Sequence, residues 1–403
     1  MWYSCGAHNR LAVLCFWVLS VVTLAGCASI GSGTNPAPGG FERYAGMDVK
    51  LPVSAAFGPD RRLWRVVPTD DHVYVDSSSD YGKTFSPPVA VNPERVPIRA
   101  QSEYRPQIAV EPAGRVYVAY PAFGLQPWTS YLSVSADRGQ HFSTPEPLSD
   151  KARIANSFQT ILAIAPNGDL HAFWHDEREG INEARGNDIF HTALDAQGKT
   201  AQSNHKIVDG VCSCCRLAVD FDTDGRPVLL TRFIYPGNVR DHGLLKPKGN
   251  SAEWAAARAT VDDWEIEACP VHGPALSIGP NGRYHIAWFT QGKKRQGLFY
   301  AYSDDQARRF SEPVALGDPH KLPAHPDVLA MRNRVVLAWN EFDGKKNRAM
   351  VKQSRDSGKT WSEAVATLES DSDVDFPFLL TDGQAIFLSW NSQDKGYRLI
   401  RID

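Results

Sequence analysis

The chain predicts an all-β fold, a β-propeller of seven blades with six as the alternative, and three observations predict it. A turn-then-strand pattern recurs at nearly constant spacing. The segments between recurrences are short alternating or β-branched runs separated by Gly, Asn and Asp, and helical periodicity is almost absent. Aligned on its last residue, the pattern ends at Val67, Tyr120, Trp174, Thr231, Trp288, Trp339 and Trp390, in steps of 53, 54, 57, 57, 51 and 51 residues. Seven copies of a unit of short strands, arranged radially, make a propeller, with the repeating tryptophans as blade core. The last copy, 375–403, has room for three strands only. Residues 41–47 are therefore expected to supply an N-terminal strand that closes the last blade and hides its edge.

The chain opens with Arg10, an apolar run from Leu11 to Ala25, and Leu24-Ala25-Gly26-Cys27. This reads as an export signal over 1–26, because the run is shorter than the roughly 20 apolar residues a spanning helix needs. Leu24-Ala25-Gly26-Cys27 resembles the lipobox of bacterial lipoproteins. The resemblance implies lipidation of Cys27 and attachment to a membrane; with Ala28 rather than Asp following, it implies the outer membrane, facing the periplasm. Residues 27–40, rich in Gly, Ser and Pro, read as a flexible tether, and 41–403 as the folded domain. Without Arg10 the chain carries 42 basic and 46 acidic residues. That balance gives no basic surplus for nucleic acid.

Between strands, Ser78-Ser79-Asp80-Tyr81-Gly82-Lys83-Thr84-Phe85 shares the pattern Ser-x-Asp-x-Gly-x-x-aromatic with Ser135 to Phe142 and Ser354 to Trp361. Ser303 to Phe310 keeps it with Ala307 in place of Gly. Asp bonds the turn, Gly takes the positive φ, and the aromatic pins the returning strand. These stretches resemble the Asp-box, or bacterial neuraminidase repeat, of sialidase-like propellers, across about residues 45–403. The resemblance implies a glycan-cleaving hydrolase, an exo-α-sialidase or a relative, as one function. The sialidase motif Phe/Tyr-Arg-Ile-Pro is not matched by Val96-Pro97-Ile98-Arg99, and a Tyr–Glu pair has no seat among the available carboxylates. Sialoside turnover is not expected.

Removing Cys5, Cys15 and Cys27 leaves Cys212, Cys214, Cys215 and Cys269, all in two clusters, Cys212-Ser213-Cys214-Cys215-Arg216 and Cys269-Pro270-Val271-His272-Gly273. Counted back from the repeat's last residue, Cys212 matches Cys269 and Cys215 matches His272, so neighbouring blades present Cys-x-x-Cys and Cys-x-x-His at one height. This spacing suits zinc or copper held by Cys212, Cys214, Cys215, Cys269 and His272. The alternative is a disulfide, Cys212–Cys269, favoured by an oxidising compartment. Residues just ahead of each first strand ring the channel mouth, which nominates Arg105, Arg216, His325 and Asp375, with Arg240 and Asp241 opening a strand on the same face, as a site for a small anionic or glycan ligand. Two functions follow, a surface-anchored binding protein for a metal or small anion and a glycan-cleaving enzyme.

Overall fold

The computed structural model describes residues 40–123, 127–180, 186–249 and 252–403. The signal, Cys27 and all of the tether but Gly40 lie outside the described residues. Seven antiparallel sheets follow one another along the chain, over residues 54–90, 107–147, 157–211, 218–258, 275–316, 324–370 and 378–402. Each sheet is laid down in chain order from its innermost strand outward, and the innermost strands, Ser54–Phe57 through Phe378–Thr381, contact one another around a ring that closes between the last and the first. The fold is thus a seven-bladed propeller.

Its core is distributed. Seven apolar clusters fill the seven seams between adjacent sheets, such as Trp64, Val66, Val116 and Val118 between the first and second, and Leu63, Val67 and Tyr397 between the seventh and first. The second strand of each blade is buried on both faces along most of its length, which suits the continuous runs of Val, Ile and Leu in these strands. Trp174, Trp288, Trp339 and Trp390 are fully buried in these seams. Their indole N–H groups donate to Asp176, Asp262, Glu341 and the Asp375 carbonyl at 2.7–3.0 Å, which removes the cost of burying them.

The closing strand expected from residues 41–47 is not formed. Glu42–Tyr44 is a short 3-10 helix, and the seventh sheet has three strands among the described residues. The reason is in the spacing: Phe41 and Tyr44 are buried while Glu42 and Arg43 between them are exposed, an i, i+3 pattern that a 3-10 turn puts on one face and a strand would split between two. Phe41 and Tyr44 plug the seam between the seventh and first blades. There Arg65 lies over the rings of Phe41, Phe85 and Tyr397, pairs with Asp76 at 2.6 Å and donates to the Gly40 carbonyl at 2.5 Å, and Tyr44 donates to Asp76 at 3.0 Å. A buried ion pair inside an aromatic cage closes the ring where a strand was expected.

The four Ser-x-Asp turns join the third and fourth strands of their blades. In each, the Ser hydroxyl donates to the Asp carboxylate at 2.7–2.8 Å and accepts from the backbone N–H four positions on at 2.7–2.9 Å.

Candidate functional site

The residues that precede the innermost strands converge at one end of the channel, and they fall into two adjoining groups. The first is built by the turn after Thr200–Val211. Cys212 N–H donates to the Arg232 carbonyl at 2.8 Å, which bends the chain back before Ala218–Phe221. Cys212, Cys214 and Cys215 are buried, with Sγ separations of 3.4, 3.9 and 4.0 Å. These gaps far exceed the roughly 2.05 Å of a disulfide, and all four cysteines of the domain are free thiols. The Cys212–Cys269 crosslink is not formed, although Cys269, exposed on its loop, lies beside Cys212 and Cys214.

The thiols share charge unequally. Hydrogen bonds from Cys214, Cys215 and Cys269 push the Cys212 thiol well below its usual value, while its bond to Cys212 pushes Cys214 well above and burial lifts Cys215 to about 12. The neighbouring thiols thus favour negative charge on Cys212 over its partners. Arg240 donates to the same sulfur at 3.3 Å, supplying the countercharge.

Three more residues complete this group, of which Gln159 stands at the same repeat position as Arg105 and Arg216, fifteen before the repeat's last residue. Gln159 has a left-handed backbone, φ 48°, and with its amide assigned to satisfy its neighbours it donates to the carbonyls of Ser213 at 2.9 Å and Cys215 at 3.3 Å and to His175 Nε2 at 3.1 Å. His175 and His242 are fully buried near Cys212. Burial lowers His175 to about 4 and His242 well below its usual value, so both are neutral imidazoles; His175 Nδ1 and both ring nitrogens of His242 have no partner.

His272 does not join the sulfurs. Its ring packs on Phe289 and His325, centroids 4.1 and 4.5 Å apart, and His325 stacks on Phe376 at 3.5 Å. It belongs to the second group, whose hub is Glu103, a residue the repeat alignment passes over. The buried Glu103 carboxylate accepts from the Arg216 N–H at 2.7 Å, the Arg216 guanidinium at 3.4 Å and the Gly273 N–H at 3.4 Å, with His325 Nδ1 at 3.8 Å. Burial raises its carboxyl above the usual value against the pull of Arg216. Gly273 is required here because a Cβ would come within 2.2 Å of Arg216 Cγ. Beside this pair, buried Arg105 is paired with Asp375 and lies over Phe378 at 4.2 Å.

Asp241 sits outside both groups. It accepts from the N–H groups of Asp262 and Asp263 at 3.0 Å and pairs with Arg258, holding the loop that follows its blade's outer strand. Below the mouth, a cavity of about 210 Å³ is lined by Glu103, Arg105, Gln159, Arg216 and Asp327 among others. Asp220 and Asp327 bond the next blade's inner strand through Ile278 N–H at 2.6 Å and Leu379 N–H at 2.7 Å, and burial raises each to about 6.

No protein-family profile matches the chain, and no curated protein sequence does. Solved structures do. The Hadza microbial sialidase Hz136 is 15% identical, with 86% of this chain and 74% of that one covered at a TM-score of 0.52. The polysaccharide lyase Uly1 is 11% identical over 94% of each chain at 0.56, and a family 25 polysaccharide lyase, an ulvan lyase, 12% identical over 88% and 94% at 0.55. At these identities the likeness is one of fold, a sialidase-like propeller shared by several glycan-active enzymes.

Proposed function

We propose that this chain is an exported, lipid-anchored propeller that binds one thiophilic metal ion, cuprous copper or zinc, through Cys212, Cys214 and Cys215 at the channel mouth. One observation carries the reading. Metal–sulfur bonds of about 2.3 Å in tetrahedral geometry set sulfurs about 3.8 Å apart, and trigonal geometry about 4.0 Å apart. The three Sγ atoms stand at 3.4, 3.9 and 4.0 Å, so an ion needs almost no rearrangement. The thiolate character of Cys212 and the Arg240 guanidinium beside it suit an anionic sulfur set around a soft cation. The test is anaerobic loading of the full mature protein with cuprous ion or zinc, followed by elemental analysis. About one ion per chain, lost in Cys212→Ser and retained in His272→Ala, is the expected result; no ion above the level of Cys212→Ser refutes it.

A glycan-acting reading has the Arg105, Arg216 and Glu103 group above a cavity in its favour, and the names of the structural neighbours. Both arginines, however, are already committed, Arg105 to Asp375 and Arg216 to Glu103 and the Pro326 carbonyl at 2.8 Å, which leaves little cationic capacity for a substrate carboxylate. Metal binding at the thiols is the better-supported function.

A further inference from the structure

The thiol site contains two kinds of sulfur. The turn bearing Cys212, Cys214 and Cys215 is clamped from three sides: Cys212 N–H to Arg232, the Gln159 amide to the carbonyls of Ser213 and Cys215, and Arg216 N–H to Glu103. Cys269 is exposed, and among the described residues no backbone–backbone hydrogen bond holds residues 267–272 of its loop. Within that loop Val271, a β-branched residue, is 42% exposed and sits at φ 54°, a conformation such residues rarely adopt. Cys269 nevertheless faces Cys212 and Cys214, with its sulfur outside the group of three that lie within 4.8 Å of one another. A clamped, buried three-sulfur triangle therefore has beside it a solvent-facing thiol, on a loop tied down at His272, whose carbonyl accepts from Arg232 at 3.0 Å.

From this contrast the geometry points to a transfer site. Cys269 is the exchange ligand through which a soft monovalent ion, cuprous copper, passes between solvent-side ligands and the buried triangle, and the protein hands the ion on to a partner with thiolate, thioether or imidazole donors. This rests on the metal-binding reading above and assigns the ion's route. A closed structural site has all its ligands fixed and buried; an exchanging site keeps one position open. The step is ligand substitution with no change in oxidation state. Cys269 Sγ loses its proton and bonds the ion as the Cys214 sulfur releases it and takes up a proton; an incoming donor then bonds the ion and Cys269 leaves. Buried His242, with neither ring nitrogen partnered, and buried His175, with only Nδ1 unpartnered, stand on the side away from solvent.

The experiment uses the full mature protein loaded with cuprous ion, with a bicinchoninate chelator as acceptor. Cys269→Ser is expected to keep about one ion per chain and to slow withdrawal by the chelator tenfold or more. In parallel, iodoacetamide on the loaded wild type is expected to alkylate Cys269 while Cys212, Cys214 and Cys215 stay protected, as read by peptide mass spectrometry. Loss of the ion in Cys269→Ser would make Cys269 a fixed fourth ligand and overturn the proposal. Unchanged withdrawal kinetics with full occupancy would overturn it as well, leaving the metal-binding reading intact. A wild type that takes up no cuprous ion would refute both, and that outcome is distinct because it appears before any variant is compared.

Discussion

The outer Ser-x-Asp turns and the channel mouth use the same residue types to opposite ends. In the turns Asp80 and Asp305 are partly exposed side chains whose carboxyls are pulled down to about 2 by hydrogen bonds, from Thr84 in the first and the Arg309 N–H in the second. In the channel Asp220 and Asp327 accept backbone N–H bonds too, yet burial pushes them up to about 6. The difference teaches that the number of donors does not set a carboxyl's charge by itself; whether water also reaches it decides the sign. Glycine shows the same division. Gly82 and Gly139 take the positive φ their turns require, and Gly139 also lies flat on Trp64 of the preceding blade, whereas Gly273 at the mouth makes room for one arginine side chain.

The largest expected effect falls at the mouth. Arg216→Ala leaves the buried Glu103 without its partner and should destabilise the fold by about 3–5 kcal/mol in urea unfolding, as for other broken buried pairs. A loss under about 1 kcal/mol, the range of exposed ion pairs, would erase the energetic distinction between the two regions. Next comes Gly139→Ala in an outer turn. Its Cβ would stand 2.4 Å from the Trp64 ring, at a left-handed φ of 76°. Overpacking and backbone strain together predict a loss of about 2–4 kcal/mol. Equal losses in Gly139→Ala and Gly225→Ala, where nothing lies within 4 Å, would reduce the effect to backbone strain alone.

The pH dependence sharpens the contrast without a large amplitude. Asp220 has a folded value of about 6, above its unfolded 3.8, so its contribution is fully present below 3.8 and is lost as pH rises through about 6. The stability of wild type relative to Asp220→Asn should therefore fall between about pH 3.8 and about pH 6. Asp80 has the reverse sign, since its folded value of about 2 lies below 3.8; its contribution is present above 3.8 and is lost as pH falls through about 2. Relative to Asp80→Asn, wild type should lose its advantage only below pH 3.8. Differential thermal melts of the two pairs check both signs, and slopes of the same sign would sink the comparison. The smallest effect is a gain. Ala307 replaces the turn glycine at φ 65°, and Ala307→Gly should raise stability by about 1 kcal/mol, visible as a higher urea midpoint.

Much of this molecule was legible in the chain because its signals are local. The period of turn dipeptides, the alternating strands and the four Ser-x-Asp turns specify conformations within a few residues, and the radial stacking of such units follows from their need to bury both faces. The close approach of Cys212, Cys214 and Cys215 was also readable, since a single tight turn brings them together. The seventh blade's edge was not, because Phe41 and Tyr44 reveal their i, i+3 face only against the seam they plug. Glu103, Gln159, His175 and His242 come from three different blades, and no shared motif links them. Only the closed ring brings a carboxylate of the second blade beneath an arginine of the fourth, or turns His272 away from the sulfurs and onto Phe289 and His325. What separates the two classes is sequence distance: backbone sterics and side-chain periodicity act over a turn of chain, whereas burial, charge pairing and ring stacking depend on which distant segments the folded ring makes into neighbours.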